Sequence, residues 1–311
     1  MSLKQEFSFA SEADGLLISG LEIAPEKAPY KGIIQLVHGM SEHKERYIPL
    51  MEYLAELGFV SVIHDHRGHG KSVKTPKDLG YMYGGGAKAL LQDIKTVNRM
   101  IKEKYPSLPL ILFGHSMGSL AVRAFTAEHD ADIDMLIVCG SPSENPGRPV
   151  GTAIAKAEKR IFGARHQSKL IEALSFGSYA MKFKNEKNKN AWICSDPAVY
   201  RAYEKNELCG FTFSDDGYLV LFELMKRAYD TKHWNCTNPN LPVLFVAGEQ
   251  DPCIGNVRQF SKAVKAMRNA GYTDVRGKLY PKMRHEILNE KGKEQVYHDI
   301  AAYIRKKGIT K

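Results

Sequence analysis

The stretch Gly114-His115-Ser116-Met117-Gly118-Ser119 follows an apolar run, Leu108–Phe113, and opens a helical stretch, Leu120–Glu128. A nucleophile flanked by small residues between a strand and a helix is the pattern of a nucleophile elbow. The turn is so sharp that a larger residue at 114 or 118 would collide with the neighbouring strand or helix. We therefore predict that Ser116 has a strained backbone and that its hydroxyl projects from the end of a sheet.

The overall composition is that of a folded globular protein. The chain has 311 residues, of which 43% are hydrophobic and 25% charged. This length suffices for one large domain, or for a domain with an insertion. The longest apolar runs, such as Val243–Ala247, have the length of strands, so no transmembrane helix is predicted. The N-terminal segment lacks the apolar core of a secretory signal, so none is expected.

The cysteines indicate the redox environment. Their number is odd and they form no C-x-x-C motif, which predicts neither a disulfide framework nor a zinc site. Unpaired thiols in a chain without a secretory signal are typical of the reducing cytoplasm, where we expect this protein. The five positions are Cys139, Cys194, Cys209, Cys236 and Cys253.

The net charge of +9 raises the question of an anionic partner. The densest basic run, Lys182–Lys189, contains Glu186 and one aromatic residue, Phe183. It matches no nucleic-acid-binding module, so no nucleic acid partner is predicted. The favoured interpretation is a solvated loop. The alternative is loose contact with an anionic lipid surface, which sets peripheral membrane contact as the upper limit.

The pattern of apolar segments predicts an α/β fold with a mostly parallel sheet flanked by helices. Glu6–Ala10 and Leu16–Ile23 are typical of a hairpin. Beyond it, continuous apolar strands alternate with amphipathic helices, which is typical of a sheet covered on both faces. The expected strands and helices up to residue 138 are Gly32–Val37, Pro49–Leu57, Phe59–His64, Ala87–Lys104, Leu110–Phe113 and Met135–Val138.

The alternation of strands and helices stops at Ser141 and resumes after Pro239. Between them, up to about Trp234, lies a segment rich in Lys, Ala, Phe, Tyr and Met that predicts several helices. We therefore expect a core in two parts, 1–140 and 236–311, and a helical lid, 141–235, inserted between them. The second part of the core predicts strand Val243–Ala247, helix Asn256–Ala270, strand Val275–Leu279 and a helix near Glu294–Arg305.

Two further residues complete a serine nucleophile's requirements. A serine hydroxyl needs a base, and the base needs an orienting acid. Asp251 follows strand Val243–Ala247 and His285 follows strand Val275–Leu279, so both lie where open parallel sheets place their sites. Taken singly, Asp251 would be a turn residue before proline and His285 a surface or core histidine. With the elbow, the order Ser116, Asp251, His285 predicts a catalytic triad. Glu249 is the rival acid.

The charge that develops on an attacked carbonyl oxygen needs N–H donors. One predicted donor is the backbone amide of Met117, at the start of the helix after the elbow. The other is the amide of Met40, in the loop after strand Gly32–Val37, where Gly39 lets the backbone turn. His38 would brace this loop. The two amides form the predicted oxyanion hole, and this chemistry requires no cofactor.

The run His64-Asp65-His66-Arg67-Gly68-His69 is a candidate metal-binding motif. It nearly matches the H-x-H-x-D-H of metallo-β-lactamase-type hydrolases, but Gly68 stands where the metal-binding aspartate would be. The pattern Asp-x-Arg-Gly-x-Gly-x-Ser, from Asp65 to Ser72, fits without a mismatch and indicates a structural turn. No metal site is therefore predicted.

Taken together, these stretches resemble the monoglyceride lipase and lysophospholipase branch of the α/β-hydrolases. The resemblance implies the triad Ser116, Asp251 and His285, the oxyanion amides of Met40 and Met117, and hydrolysis of esters with a single acyl chain under a helical lid. The matching stretches are His38-Gly39-x-x-Glu42-His43-x-x-Arg46-Tyr47, Asp65-His66-x-Gly68-His69-Gly70-x-Ser72, Tyr105-Pro106-x-Leu108-Pro109, Gly114-His115-Ser116-Met117-Gly118, Gly248-x-x-Asp251 and His285-Glu286.

The lid segment carries no motif that aligns securely with this branch. Its aromatic residues and methionines are candidates for an acyl pocket or, alternatively, for packing inside the lid. Cys253, two residues beyond Asp251, is interpreted as a buried and inert thiol. The candidates are Phe176, Tyr179, Met181, Phe211, Phe213, Phe222 and Met225.

The function predicted from the sequence is a serine hydrolase that cleaves monoacyl lipid esters, of the monoacylglycerol or lysophospholipid type, through an acyl-enzyme on Ser116. The alternatives are a small-ester carboxylesterase and a proline-iminopeptidase-like amidase with the same triad. A non-catalytic binding protein is disfavoured, because a binder has no use for a triad and an oxyanion loop. The expected partner is a small-molecule or lipid ester, and the oligomeric state stays open.

Overall fold

An eight-stranded sheet forms the centre of the computed structural model, which describes residues 2–311. Most strands are fully buried and apolar, as expected for a sheet covered on both faces. The strands are β1 (Ser2–Ala10), β2 (Leu17–Pro25), β3 (Gly32–Val37), β4 (Phe59–His64), β5 (Leu110–His115), β6 (Met135–Cys139), β7 (Val243–Gly248) and β8 (Val275–Tyr280).

The spatial order of the strands is β1-β2-β4-β3-β5-β6-β7-β8. The predicted hairpin of β1 and β2 is present, and it joins β4 antiparallel through β2. All remaining neighbours, from β4 through β3 to β8, are parallel. The predicted α/β fold class is therefore confirmed.

Helices cover both faces of the sheet. Successive side chains of a strand point to opposite faces, so an apolar strand presents apolar side chains on both faces. Leu110 and Leu112 of β5 contribute to one core cluster, and Ile111 and Phe113 to the other. The helices are α1 (Ile48–Glu56), α2 (Gly86–Lys104), α3 (Met117–His129), α4 (Arg148–Phe162), α5 (Lys169–Lys182), α6 (Pro197–Lys205), α7 (Asp215–Tyr229), α8 (Val257–Asn269) and α9 (Lys293–Lys306). Short 3₁₀ turns occupy Lys44–Tyr47, Pro76–Asp78, Asp130–Asp132, Lys184–Glu186 and Thr231–His233.

The segment between β6 and β7, residues 140–242, is called the insertion below. It contains α4, α5, α6 and α7, and the described residues include no strand there. The helix α7 lies with α2, α3 and α8 in one core cluster, and α1 and α9 belong to the other. The helices α4 and α5 are much less buried, with Ala155 and Ile171 as their buried residues. The insertion is thus anchored by α7 and exposed along α4 and α5.

The strand order brings the predicted functional residues to one edge of the sheet. The strands β5, β7 and β8 are parallel and separated by only β6. Ser116, Asp251 and His285 each follow the carboxyl end of one of these strands. Carboxyl ends of parallel strands point the same way, so the three residues converge on one side of the molecule.

Candidate active site

Ser116 lies at the junction of β5 and α3 in an uncommon backbone conformation. Its φ of 54° and ψ of −120° lie outside the regions that side chains usually tolerate. The Ser116 amide donates to the Cys139 carbonyl oxygen at 2.9 Å, which ties the turn to the end of β6. Strain of this kind is held in place by surrounding structure and marks functional positions. The predicted strain at the elbow is therefore present.

The two glycines that flank Ser116 are required by close backbone contacts. A Cβ atom on Gly114 would lie 2.4 Å from the Gly118 carbonyl oxygen. A Cβ atom on Gly118 would lie 2.1 Å from the Val37 carbonyl oxygen, at the end of β3. Real Cβ atoms do not approach backbone atoms this closely, so α3 packs against β3 and β5 only because both residues lack side chains.

Asp251 and His285 form a buried hydrogen-bonded pair. His285 Nδ1 donates to Asp251 Oδ2 at 2.9 Å, which leaves Nε2 as the acceptor nitrogen. The other carboxylate oxygen of Asp251 accepts from the Cys253 amide at 2.8 Å. The side chains of Asp251 and His285 are 0% and 5% exposed. This geometry fixes the tautomer and orientation that a general base needs.

Two opposing effects act on the pKa of His285. Burial is the largest single influence and lowers it, because the imidazolium would lose its hydration, and the raising influences, led by the charge of the Asp251 carboxylate, together outweigh burial. Burial raises the pKa of the Cys253 thiol, so Cys253 is neutral at physiological pH and leaves Asp251 as the adjacent negative charge. The pKa of His285 therefore lies above its ordinary value of about 6.5.

The rival acid, Glu249, points away from this pair. Glu249 is exposed and its amide donates to the Tyr280 carbonyl oxygen at 2.9 Å, which continues the pairing of β7 with β8. Asp251 lies beyond the end of β7 and is fully buried against His285. Of the two acids, the structure brings only Asp251 into contact with the histidine.

Ser116 and His285 line the same cavity, which has a volume of about 320 Å³. The His285 ring lies between two other rings: His115 at a centroid distance of 4.8 Å and Trp192 at 5.1 Å. Trp192 belongs to the insertion, and the Glu286 amide donates to the Ile193 carbonyl oxygen at 2.7 Å. The loop that carries His285 is therefore held by the insertion as well as by the sheet.

The predicted oxyanion amides also reach this cavity. Met40 and Met117 line it beside Ser116, and a Cβ atom on Gly39 would lie 3.0 Å from Ser116 Cβ. Met117 is the first residue of α3, so its amide has no acceptor within the helix. Among residues 2–311, neither the Met40 nor the Met117 amide donates to a protein acceptor. Both donors are thus available next to the nucleophile.

A buried arginine connects the oxyanion loop to the loop of His285. Glu42 accepts from the Gly39 amide at 2.6 Å and from the Tyr47 hydroxyl at 3.0 Å. Arg46 donates to Glu42 at 2.9 Å and to both carboxylate oxygens of Glu286 at 2.6 Å. Glu286 directly follows His285. One guanidinium therefore couples the positions of the two loops that flank Ser116.

The Asp65–Ser72 segment forms a turn that supports the oxyanion loop. The His66 amide donates to His38 Nε2 at 3.0 Å, and His66 Nε2 donates to the His38 carbonyl oxygen at 3.0 Å. His69 Nε2 accepts from the Ser41 amide at 3.2 Å. The imidazole nitrogens that make these bonds are committed to backbone partners, and the structure assigns His38 the bracing position that the sequence predicted.

The cavity walls come largely from the insertion. Of the seven predicted candidates, five line the cavity: Phe176, Tyr179, Phe211, Phe222 and Met225. Phe213 is instead fully buried in the core, and Met181 is 67% exposed. Trp192, Tyr203, Tyr218 and Leu221 also line it and were missed. The wall is mainly apolar and aromatic, as is usual for sites that bind small organic ligands.

Cys253 approaches the histidine from the side of Asp251. Its sulfur lies 3.9 Å from His285 Nε2 and its side chain is buried. Burial raises the pKa of this thiol, so it is neither a ready nucleophile nor a metal ligand without losing its proton. The position agrees with the predicted inert thiol near the site.

The exposed surface of α4 and α5 is unusually apolar. Six large apolar side chains on these helices are more than half exposed. These residues are Val150, Ile161, Phe162, Leu170, Leu174 and Met181, here called the outer apolar face.

Several contributors to the site went unnoticed in the sequence. Trp192 and Tyr203 lie in the insertion, where no local pattern separates a cavity wall from helix packing. Glu42, Arg46 and Glu286 were part of the family motifs but had no role assigned. The signal available in the sequence was the presence of two acidic residues and one arginine in these motifs, since buried charges require partners.

The sheet order, with the elbow after β5 and the histidine after β8, defines the class of the protein as an α/β-hydrolase. The model of the family described as "Serine aminopeptidase, S33" matches residues 28–292, and the chain belongs to this family. No helix within residues 2–311 combines the length and apolar character that crossing a membrane demands.

Relatives of known name support the predicted monoglyceride-lipase-like branch. The monoacylglycerol lipase of Mycolicibacterium smegmatis is 25% identical over 306 residues, 97% of this chain and 98% of that protein. The monoglyceride lipase of Homo sapiens is 32% identical over 123 residues, 40% of this chain and 38% of that protein. The crystal structure of a highly thermostable carboxyl esterase from Bacillus coagulans in complex with glycerol superposes with a TM-score of 0.88 at 27% identity, covering 97% of this chain and 98% of that one.

Proposed function

We propose that this protein hydrolyses carboxylic esters that carry a single acyl chain, with monoacylglycerols and lysophospholipids as the favoured substrates. The observation that carries the proposal is the strained Ser116, which shares one apolar cavity with His285 and two free backbone amides. The named relatives are lipases and an esterase, which supports ester hydrolysis as the chemistry.

The mechanism follows from the positions of the groups. Ser116 Oγ attacks the ester carbonyl carbon while its proton passes to His285 Nε2, and Asp251 stabilises the imidazolium through Nδ1. The carbonyl oxygen becomes an oxyanion that the Met40 and Met117 amides bind. The C–O bond to the alcohol then breaks, and the imidazolium protonates the leaving oxygen. Water attacks the resulting acyl-enzyme by the same route and restores the free serine.

We further propose that the insertion, predicted as residues 141–235, acts as a lid over the acyl chain. The aromatic side chains of the cavity provide an apolar surface for a chain, with about 0.8 kcal/mol gained for each buried methylene. The helices that carry the outer apolar face also carry exposed basic residues, including Lys156, Arg160 and Lys169. This combination suits reversible contact with an anionic lipid surface, which would deliver the substrate to the lid.

An aminopeptidase-type amidase is the second candidate, favoured by the family description and by Glu172. Such an enzyme needs a carboxylate near the nucleophile to bind the substrate's ammonium group. Of the acids that line the cavity, Glu42 and Glu286 are paired with Arg46, whereas Glu172 accepts only from the Thr212 hydroxyl, at 3.2 Å. Substitution of Glu172 by Gln would therefore abolish amidase activity and spare esterase activity.

The test compares kcat/KM across substrate classes. We expect kcat/KM to rise with acyl length over p-nitrophenyl esters from C2 to C16, and monoacylglycerols and lysophospholipids to exceed triolein. An aminoacyl anilide serves as the amide substrate. A monotonic decline from C2 would indicate a small-ester carboxylesterase, and a preference for the anilide would indicate the amidase.

The catalytic assignment is tested with Ser116→Ala. A fluorophosphonate probe should label the wild-type protein and not this variant, whose kcat should fall by about 10⁶. The variant removes one oxygen and should retain the wild-type unfolding temperature. Labelling that persists in Ser116→Ala would remove Ser116 from the mechanism.

For the cellular location we propose the cytoplasm. All five cysteines are free thiols, and four of them are buried. A protein that folds in an oxidising compartment rarely keeps so many thiols unpaired. Fractionation of cells that express the full chain would test this proposal, with recovery alongside secreted or periplasmic markers as the contrary result.

A further inference from the structure

A second group of metal-ligand residue types lies in the insertion, away from the cavity. Glu158 is on α4, His166 is in the loop before α5, and Asp215 is the first residue of α7. One donor atom from each residue lies within 4.8 Å of the others. His166 Nδ1 also lies 2.9 Å from Asp215 Oδ2. Three separate elements of the insertion thus converge on one point.

Two carboxylate oxygens of this group are buried without a partner. Within residues 2–311, Glu158 Oε2 and Asp215 Oδ1 have no hydrogen-bond donor. The Asp215 side chain is fully buried. An unpaired buried carboxylate is strongly unfavourable, and two of them facing each other are worse. The arrangement therefore requires a positive charge or a shared proton.

The nearby Lys159 and Arg165 make their hydrogen-bonded ion pairs with other carboxylates. Lys159 pairs with Asp216 at 2.6 Å and Arg165 with Asp78 at 2.6 Å. The Glu158 and Asp215 carboxylates repel each other when both are ionised. A cation would remove this repulsion.

We propose that Glu158, His166 and Asp215 bind a divalent transition-metal cation, with Zn²⁺ as the best match. One imidazole and two carboxylates form a ligand set that suits zinc, and water would complete the tetrahedron. Zinc–ligand bonds of about 2.0–2.2 Å need the donors to close up from their present spacing. Glu158 and His166 are partly exposed, and the proposal requires their side chains to move towards Asp215 by this amount.

The position of the site gives the cation a role in the insertion. Asp215 begins α7, which is packed into the core, whereas Glu158 lies on the exposed helix α4. The Asp215 amide also donates to the His166 carbonyl oxygen at 2.7 Å. A bound ion would fasten α4 and the loop of His166 to the core through one point, and so stabilise the outer part of the insertion.

The experiment measures zinc binding in a background that removes a competing site. Asp251, Cys253 and His285 also place ligand atoms within 4.8 Å of one another, so all proteins carry Cys253→Ala. Calorimetric titration of the metal-stripped full chain with ZnCl₂ should show one equivalent bound. Glu158→Gln and Asp215→Asn should each abolish this binding. At roughly 100 times Kd, zinc should raise Tm by about 5 °C in the background protein and not in these variants.

Asp216→Asn is the matched control, because Asp216 is the next acidic residue of α7 and its oxygens are already paired. It should lower Tm and leave zinc binding intact. Zinc binding that survives Glu158→Gln and Asp215→Asn would overturn the proposal. The absence of binding to the background protein would overturn it as well, and a higher Tm for Glu158→Gln at alkaline pH would then identify a shared proton as the alternative. Neither result bears on hydrolysis by Ser116.

Discussion

Replacing Arg46 by alanine removes the cation that Glu42 and Glu286 share. The three side chains are 13%, 5% and 6% exposed, so water cannot replace the guanidinium well. Removing one partner of a buried ion pair costs about 3–5 kcal/mol, because a charge remains unpaired. Here two carboxylates lose their common partner, so we expect Arg46→Ala to lower the free energy of unfolding by at least about 3 kcal/mol at neutral pH.

The loss of unfolding free energy in Arg46→Ala should depend on pH, and the pKa of Glu42 sets the direction of that dependence. Burial raises the pKa of Glu42, Arg46 lowers it, and Glu286 raises it. Without Arg46 the largest lowering influence is lost and only the hydrogen bonds from Gly39 and Tyr47 still lower this pKa, so the folded-state pKa of Glu42 moves further above the unfolded value of about 4.3. A group with a raised folded pKa contributes stability at low pH that is lost as pH rises through that pKa. The deficit of Arg46→Ala should therefore be smallest near pH 5 and grow towards pH 8.

Urea unfolding at several pH values measures this, with kcat/KM recorded on the same samples. Because Glu42 positions the Gly39 amide, kcat should also fall by about 10–100-fold. The control is Arg165→Ala, whose ion pair with Asp78 has a 59% exposed arginine. Exposed pairs contribute about 0–1 kcal/mol. A loss below about 1 kcal/mol for Arg46→Ala, or a deficit that is flat with pH, would refute the reasoning.

The remaining predictions concern the triad and the elbow. Asp251→Asn should lower kcat by about 10⁴, whereas Glu249→Gln should have little effect, and the opposite ranking would show that the acid is misassigned. Since neutral His285 is the base and Asp251 raises its pKa, kcat/KM should fall with decreasing pH through a value above about 6.5. In Asp251→Asn this acid limb of the pH profile should move to lower pH, and an unchanged limb would argue against the Asp251–His285 pair. Gly118→Ala should destabilise the fold by about 2 kcal/mol or more, because its Cβ meets a backbone oxygen at 2.1 Å, while Gly177→Ala, with nothing within 4 Å, should be neutral or stabilising in thermal unfolding.

The core of this protein was predictable from the sequence because its signals are local. The glycine at 114 is dictated by a contact within the turn, with the Gly118 carbonyl oxygen, and the glycine at 118 by the Val37 carbonyl oxygen of the adjacent strand β3. The loop of Asp251 follows β7, whose apolar run is short and unbroken, and the loop of His285 follows β8, which pairs parallel with β7 although Arg276 and Lys278 interrupt its apolar residues. Their convergence then follows from the parallel sheet.

The insertion was less predictable because the apolar side chains of its segments can pack against more than one surface. Phe213 and Met181 have similar character in sequence, yet one is buried in the core and the other faces solvent. The difference depends on α7 packing against α2 and α3, a contact between distant parts of the chain. The contact of the Trp192 ring with the His285 ring also joins distant parts of the chain, and no local sequence pattern predicts it.

The unequal anchoring of the insertion affects how its segments can be exchanged between relatives. A graft of residues 141–235 as one block would carry the core-packed helix α7 into a foreign interior and disturb its side-chain fit. A graft that ends before Phe213 would keep Phe213 and α7 in place while it replaces α4, α5 and α6, which contribute Ala155 and Ile171 to the buried residues of that cluster. The boundary of the segment that can be exchanged between relatives therefore lies inside the insertion and not at its junctions with the sheet.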